Sequence, residues 1–90
     1  MITITRLRIF RLRHGISLNE LQRHSGSSHQ YISRLELCKR GRTSKNERMM
    51  ADAIRSIINS RRAALERLEQ EFEEYNGNLL VPLEVETDEL

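Results

Sequence analysis

A chain of 90 residues with 38% hydrophobic and 31% charged residues is long enough for one small domain. Its single proline and few turn signals exclude a β-sandwich, and it lacks the ~20-residue apolar run that spans a bilayer. One cysteine, Cys38, excludes an internal disulfide, and no apolar core follows the first residues as in a signal peptide. We therefore expect a cytoplasmic, all-α bundle whose thin core a dimer interface would supplement.

Charge divides the chain into two unlike halves. Residues 1–48 contain eleven Lys or Arg and three acids, a net charge of +8, whereas residues 49–90 contain four Arg and ten acids, a net charge of −6. A basic half attracts a polyphosphate and an acidic half is repelled by it. Charge alone is equally compatible with two solvated halves, so the interpretation depends on the motif in the basic half.

Residues 5–14 are predicted to form the first helix, because Leu7, Ile9 and Phe10 recur at helical spacing. Gly15 is placed to end that helix. The next four residues, Ser17-Leu18-Asn19-Glu20, form a capping box. In that box the serine accepts an orphan amide and the glutamate reaches back to the cap.

The second predicted helix runs to about His24, and Gly26 follows where a sharp turn needs a positive φ. Ser28 can cap a third helix in which Ile32 and Leu35 face inward. Four polar residues are then left on its outer face: His29, Gln30, Ser33 and Arg34. A basic loop, Lys39-Arg40-Gly41-Arg42-Thr43-Ser44, comes next.

A long helix is predicted over roughly residues 45–75, ending at Asn76-Gly77. Its apolar stripe follows heptad spacing, interrupted only by Arg61: Ala51, Ile54, Ile58, Leu65, Leu68, Phe72 and Tyr75. The stripe is either a dimer seam or a surface that folds back onto the first three helices. Asn59-Ser60 offers an alternative cap for a separate fifth helix, and residues 79–86 are an edge strand, a clasp or an extended tail.

Several residues occur at the spacing of one known family: Arg11 four before Gly15, then Leu21 and Gly26, then Ile32-Ser33-Arg34-Leu35-Glu36 followed by Lys39-Arg40. Over residues 7–58 the chain resembles the phage Cro and repressor-type helix-turn-helix family, also called XRE-like. The resemblance implies a compact bundle of four or five helices with the third helix in the DNA major groove. It also implies a structural ion pair between Arg11 and Glu36.

The resemblance assigns roles to the outer face of the third helix. Ser28, His29, Gln30 and Arg34 match the base-reading positions of the family. Gln30 suits adenine N6 and N7, and Arg34 suits guanine O6 and N7. The remaining matches imply contacts with the phosphate backbone: Ser33, Lys39, Arg40 and Arg42.

Four positions depart from the pattern of the family. Leu18 replaces the glutamine that opens the second helix, and Gln22 replaces a small alanine at the closest helix approach. Ser27 stands where an apolar residue follows the turn glycine. Cys38 replaces a glycine, so the third helix is expected to run on toward Gly41.

Other chemistries find less support in the sequence. His24 and His29 have no neighbouring carboxylate or thiol, so surface histidines are expected rather than a metal site. No nucleophile lies beside a recognisable base, and neither an enzyme nor a cofactor is expected. Tyr31 is assigned equally to a contact near DNA and to shielding the helix packing.

These observations predict a sequence-specific DNA-binding transcriptional regulator, acting as a repressor. Residues 1–58 would be the DNA-binding domain, and residues 59–90 a C-terminal helix and tail that form a homodimer through Leu65, Leu68, Phe72 and Tyr75. The alternative is a helical protein-interaction module such as an antitoxin or an anti-repressor. The long acidic helix and the departures at Leu18, Gln22 and Ser27 keep that alternative open.

Overall fold

The computed structural model describes residues 2–86 and 88 and is all-helical, as the sequence predicts. Its four α-helices are α1 (Arg6–Arg13), α2 (Leu18–Ser25), α3 (His29–Glu36) and α4 (Ser44–Tyr75). The described part of the chain contains no β-strand. Residues 81–86 have no regular secondary structure, so the edge strand considered for this segment is not formed.

A hydroxyl side chain begins every helix in the same way. Thr5, Ser17, Ser28 and Thr43 each accept a hydrogen bond from the backbone amide three residues later, at 3.3, 3.0, 3.1 and 3.1 Å. Such a bond satisfies one of the amides that a helix N-terminus leaves unpaired. The predicted caps at Ser17 and Ser28 are therefore confirmed.

The second half of the capping box is not formed. Glu20 was expected to reach back to the start of α2, but its Oε1 accepts a hydrogen bond from Arg61 Nη2 at 2.9 Å. Arg61 also donates to the carbonyl oxygens of His14 and Gly15, at 2.8 and 3.3 Å. Arg61 therefore binds the Glu20 carboxylate in place of the backbone amide at the start of α2. The same side chain joins the end of α1 to the start of α2.

The helices α1 and α3 end in the same Schellman turn, in which two amides beyond the helix bond back to its last carbonyls. In α1 these bonds run from Gly15 N to Leu12 O and from Ile16 N to Arg11 O. In α3 they run from Cys38 N to Leu35 O and from Lys39 N to Arg34 O. The expected continuation of α3 toward Gly41 is therefore wrong.

Cys38 adopts the left-handed conformation that this turn requires, with φ of 60°, close to the 63° of Gly15. A side chain in that conformation costs about 1–2 kcal/mol because Cβ crowds the following carbonyl. We expect Cys38→Gly to raise the free energy of unfolding by about 1 kcal/mol, since glycine escapes that crowding but loses more entropy on folding. Urea denaturation followed by circular dichroism measures the change.

Two variants control this result. Cys38→Ala keeps Cβ and should give no gain, so an equal gain from alanine would contradict strain at this position as the cause. Gly15→Ala should lose about 1 kcal/mol, because nothing lies within 4 Å of the added Cβ and only the backbone conformation opposes it.

The buried core is small and lies between α2, α3 and the first half of α4. Leu21, Ile32 and Ile57 are its largest fully buried apolar side chains. Helix α2 packs on both α3 and α4, and α1 packs on α3. The inward orientation predicted for Ile32 and Leu35 is confirmed, because both are buried in this core.

A buried ion pair joins α1 to α3. Arg11 donates from Nε to Glu36 Oε2 at 2.7 Å and from Nη2 to Oε1 at 3.0 Å, and Glu36 is 0% exposed. Arg11 Nη1 also donates to the carbonyl oxygen of Ile16 at 3.1 Å. The ion pair implied by the family resemblance is therefore present, and its charges are fully partnered.

The expectation of a compact bundle is not met. A compact chain of this length has a radius of gyration of about 12 Å, whereas this one has 18.8 Å and measures 55 × 27 × 26 Å. The cause is α4, which runs 32 residues without a break, so no separate fifth helix begins near Asn59-Ser60. None of the described helices combines the length and apolar composition needed to cross a bilayer.

Only the first half of α4 packs on the other helices, and it does so along one side. Met50, Ala53 and Ile57 are buried there. The predicted stripe lies beside this line, with Ala51 and Ile54 half-buried and Ile58 44% exposed. Beyond Arg61 the helix projects alone, and every residue from 62 to 75 is exposed.

Candidate nucleic-acid interface

The outer face of α3 is polar and open to solvent. At 100° per residue, positions 29, 30, 33 and 34 fall within an arc of about 140°, and positions 31, 32, 35 and 36 fall within the opposite arc. His29, Gln30 and Arg34 are exposed on the first arc. On the opposite arc Ile32, Leu35 and Glu36 are buried. The core therefore packs against the inner face of α3 and leaves the hydrogen-bonding side chains of its outer face exposed.

The two serines assigned to this face are less available than the other residues. Ser28 is exposed, but its Oγ accepts the hydrogen bond from Tyr31 N that caps α3. A serine hydroxyl retains its own proton as a donor, so Ser28 can still donate to a phosphate or a base. Ser33 is half-buried, which places it at the edge of the exposed face.

The basic loop begins directly beside Arg34. The bond from Lys39 N to Arg34 O, at 2.8 Å, fixes the first residue of the loop against the last turn of α3. Lys39, Arg40 and Arg42 are all exposed. The Schellman turn thus places Lys39 beside the last turn of α3, whereas Arg40 lies over the Tyr31 ring and Arg42 lines a groove between α1 and α4.

A polar link that the sequence analysis missed holds the rest of the loop in place. The hydroxyl of Tyr31 donates to Asn46 Oδ1 at 2.8 Å, and Asn46 Nδ2 donates to the Gly41 carbonyl at 3.2 Å. The Arg40 guanidinium lies 5.1 Å from the centre of the Tyr31 ring, in cation–π range. Tyr31 is also packed on the core, so its described contacts are those of a structural residue.

Two further cations belong to the same region and were not selected from the sequence. Lys45 and Arg48 are exposed on the first two turns of α4. Those turns are joined to α3 and to the turn before it through the Tyr31–Asn46 bond and a bond from Ser27 Oγ to Met49 Sδ at 2.9 Å. The charge count of the basic half included both residues, but only the fold shows that they lie on the turns of α4 that bond to Tyr31 and Ser27.

The departures from the family pattern are accommodated individually. Leu18 packs against the core, and Gln22 is exposed on α2 and does not fill the space between helices. The hydroxyl of Ser27 donates to the Met49 sulfur and is partly buried. His24 lies close to α4, with Nδ1 2.7 Å from Ser56 Oγ.

The residues assigned to dimerisation lie on the projecting half of α4, remote from α3 in the chain. Leu65, Leu68, Phe72 and Tyr75 are 53%, 64%, 49% and 50% exposed. The stripe therefore does not fold back onto the first three helices from residue 65 onward. These side chains occupy one face of an unaccompanied helix.

No family model, curated protein or solved structure matches this chain. The resemblance to the Cro and repressor family accordingly rests on the residues quoted for it.

Proposed function

We propose that this protein is a sequence-specific DNA-binding regulator that inserts α3 into the major groove. One observation carries the proposal: the polar outer face of α3 adjoins a basic loop that backbone and side-chain bonds hold beside it. A helix of this width fits the major groove of B-DNA, where base edges present distinct donors and acceptors. The α2–turn–α3 unit is then a helix-turn-helix, with α3 as its recognition helix.

In this proposal the exposed side chains of α3 recognise the DNA bases. The side-chain amide of Gln30 matches the donor and acceptor pair at adenine N6 and N7, and the Arg34 fork matches guanine O6 and N7. His29 and Ser28, at the start of α3, contact either bases or phosphates. Because an eight-residue helix reaches only a few base pairs, one copy specifies a short half-site.

Phosphate contacts supply much of the affinity and set the docking angle. Lys39, Arg40 and Arg42 are assigned to one strand of the backbone beside α3, together with Ser33. Lys45 and Arg48, exposed on the first two turns of α4, are assigned to further phosphate contacts. The acidic residues 66–74 lie on the projecting half of α4, where their charge turns that segment away from DNA.

The proposed active species is a homodimer joined through Leu65, Leu68, Phe72 and Tyr75. Four large apolar side chains at heptad spacing on one exposed face match what a helix-pairing seam requires. Two copies would then read two half-sites on the same duplex. Repression by obstruction of polymerase is the simplest consequence of occupying such a site.

The decisive variant is Arg34→Ala. We expect the preference for the selected site to fall by about 1–3 kcal/mol, since a bidentate guanine contact is lost. The free energy of unfolding should change by less than about 0.5 kcal/mol, because Arg34 is exposed. The measurement is titration of two duplexes, each at two salt concentrations. One duplex carries a site selected by binding to the wild-type protein, and the other carries that site with its bases scrambled.

Two further variants, one at an arginine and one at a lysine, are the controls for that result. Arg67→Ala removes the same charge from the projecting part of α4 and should leave both affinities unchanged. Lys39→Ala should weaken both duplexes about equally and lower the salt slope by about one unit. Micromolar binding of the wild-type protein without site preference would exclude sequence-specific recognition.

The exposed seam also favours a second candidate function, a helical module that binds another protein. On that hypothesis Arg34→Ala is silent, whereas Leu68→Asp abolishes function. On the DNA-binding hypothesis Arg34→Ala abolishes site preference and spares self-association. The same pair of variants, assayed for DNA binding and for association, separates the two.

A further inference from the structure

The seam of α4 carries a charged residue at a core position. In the heptad, Ala51, Ile58, Leu65 and Phe72 are at a, and Ile54, Arg61, Leu68 and Tyr75 are at d. In a parallel pair each a or d residue faces its own copy, whereas in an antiparallel pair a faces d. Arg61 is already bonded to Glu20 and to the carbonyl oxygens of His14 and Gly15, so its charge does not choose between the two orientations.

The residues that flank the seam do distinguish the two orientations. Arg62 and Glu69 both occupy e positions, and Glu71 occupies g. When Leu65 packs on Leu68 of an antiparallel second copy, Arg62 lies beside Glu69 of that copy, and Glu69 beside its Arg62. A parallel pair instead collects the acidic residues 69–74 of both copies at one end, which is repulsive. Charge complementarity therefore selects the antiparallel arrangement.

A groove continues the seam onto the body of the protein. It encloses about 660 Å³ between α1, the basic loop and α4. Leu7 and Phe10 line one wall, and the seam residues Ala51 and Ile54 line the other. Its charged lining residues are Arg40, Arg42, Glu47 and Arg55, of which Arg55 pairs with Asp52 at 3.0 Å. The groove is thus an apolar site with a net cationic lining, positioned where the far end of an antiparallel partner arrives.

The tail after α4 has the matching composition. Leu79, Leu80, Val81, Leu83 and Val85 are 60%, 97%, 56%, 82% and 50% exposed. Glu84 and Glu86 flank Val85, so the tail also carries carboxylates that can pair with the arginines lining the groove. A continuous apolar segment of this kind gains free energy when it is covered, about 25 cal/mol for each Å² removed from water.

Distance decides which copy supplies the tail. Ile54 and Tyr75 are 21 residues apart on α4, or about 32 Å. The 11 residues from 76 to 86 span about 36 Å at full extension, so a chain fills its own groove only when the tail is drawn straight back. In the antiparallel pair, Tyr75 of the second copy lies beside Ile58, and its tail needs only about 6–10 Å to enter the groove.

We propose that two copies of this chain pair antiparallel along α4, each placing its apolar tail, residues 79–85, in the groove of the other. This inference rests on the homodimer of the proposed function, and its tests measure association in the absence of DNA. The pairing covers the seam, the groove and the tail of both copies at once. It also places the two DNA-reading bodies at opposite ends of the paired helices, suited to a two-part site.

Reversal of the flanking charges tests the orientation. Sedimentation equilibrium of the full chain measures the dimer dissociation constant for Arg62→Glu, Glu69→Arg and the double variant. We expect each single change to weaken the dimer by about 3- to 30-fold, because two pairs per dimer become repulsive, and the double variant to restore it. In a parallel pair Glu69→Arg would instead strengthen the dimer, and the double variant would restore nothing, which overturns the proposal.

The control for charge is Glu73→Arg, which makes the same change at an outward b position and should leave the constant unaltered. A second measurement uses spin labels at Asn76→Cys in a Cys38→Ser background. The centre of the antiparallel pair lies between residues 66 and 67, so the two labels should be about 30 Å apart. A separation under about 20 Å requires the parallel pair and would refute the antiparallel one.

Tail docking is tested by Leu83→Asp, because Leu83 is 82% exposed and its replacement leaves the monomer intact. We expect this variant to weaken the dimer at least about 10-fold, whereas Ile2→Asp, at another exposed apolar residue, has no effect. An unchanged constant for Leu83→Asp overturns the docking. If the wild-type chain stays monomeric at about 100 μM but still binds its DNA site, the proposed pairing is wrong and the proposal of DNA recognition is unaffected.

Discussion

Glu36→Ala is expected to lower the free energy of unfolding by about 3–5 kcal/mol, the usual effect of removing one partner from a buried ion pair. The variant leaves the Arg11 guanidinium buried, with the Ile16 carbonyl as its remaining described partner. A domain of this size has a total stability of about 5–10 kcal/mol. The loss therefore removes much of the stability of the body, and urea denaturation at 25 °C should show it directly.

The cost arises from the unpaired charge and less from the loss of attraction. A double variant, Arg11→Met with Glu36→Leu, removes both charges and should be much less damaging than Glu36→Ala alone. Glu20→Ala supplies the matched control, because it breaks the half-exposed pair with Arg61 and should cost under about 1 kcal/mol. A cost for Glu36→Ala as small as that of Glu20→Ala would contradict a buried pair.

The local chemistry of the helix ends could be predicted from the sequence because it depends on neighbouring residues. A hydroxyl before a helix and a glycine after it act within four residues, so Ser17, Ser28 and Gly15 were assigned correctly. Cys38 gave a wrong prediction under the same local rule. The absence of glycine indicated a longer α3, but the two Schellman bonds formed regardless and forced cysteine to φ of 60°.

Partners distant in the chain could not be predicted from spacing. Arg61 interrupted the heptad and was interpreted as a flaw in the stripe, whereas it binds the α1–α2 connection across more than 40 residues. Asn46 gave no signal at all, although it joins Tyr31 to the basic loop. A single arginine or asparagine has many acceptable partners, and only the tertiary fold selects one.

The candidate interface could likewise be predicted from the sequence only in part. The outward residues of α3 follow from the 3.6-residue period, since the buried positions Ile32 and Leu35 fix the opposite face. The position of Lys45 and Arg48 on turns of α4 that bond to Tyr31 and Ser27 does not follow from any period, because it depends on the tertiary fold. Similarly, the stripe on α4 predicted an apolar seam, but two adjacent apolar lines run along the helix and only the fold shows that Met50, Ala53 and Ile57 form the buried one.

Ile32→Ala is the core change with the most direct consequence for α3. The side chain is 0% exposed on the inner face of that helix, so its truncation leaves a cavity against α2 and α4. We expect a loss of about 2–5 kcal/mol in the free energy of unfolding, measured by urea denaturation. Ile2→Ala removes the same atoms from an exposed residue and should cost less than about 0.5 kcal/mol.

Ile32→Ala also distinguishes residues that stabilise α3 from residues of α3 that contact the bases. Because Ile32 faces the core, Ile32→Ala should weaken selected and scrambled duplexes in parallel, in proportion to the fraction of protein that unfolds or loosens. Arg34→Ala, two residues away on the outer arc, should lose site preference at full stability. If Ile32→Ala changed the preferred bases while Arg34→Ala did not, α3 would have to face DNA with the opposite side, and the proposed reading surface would be wrong.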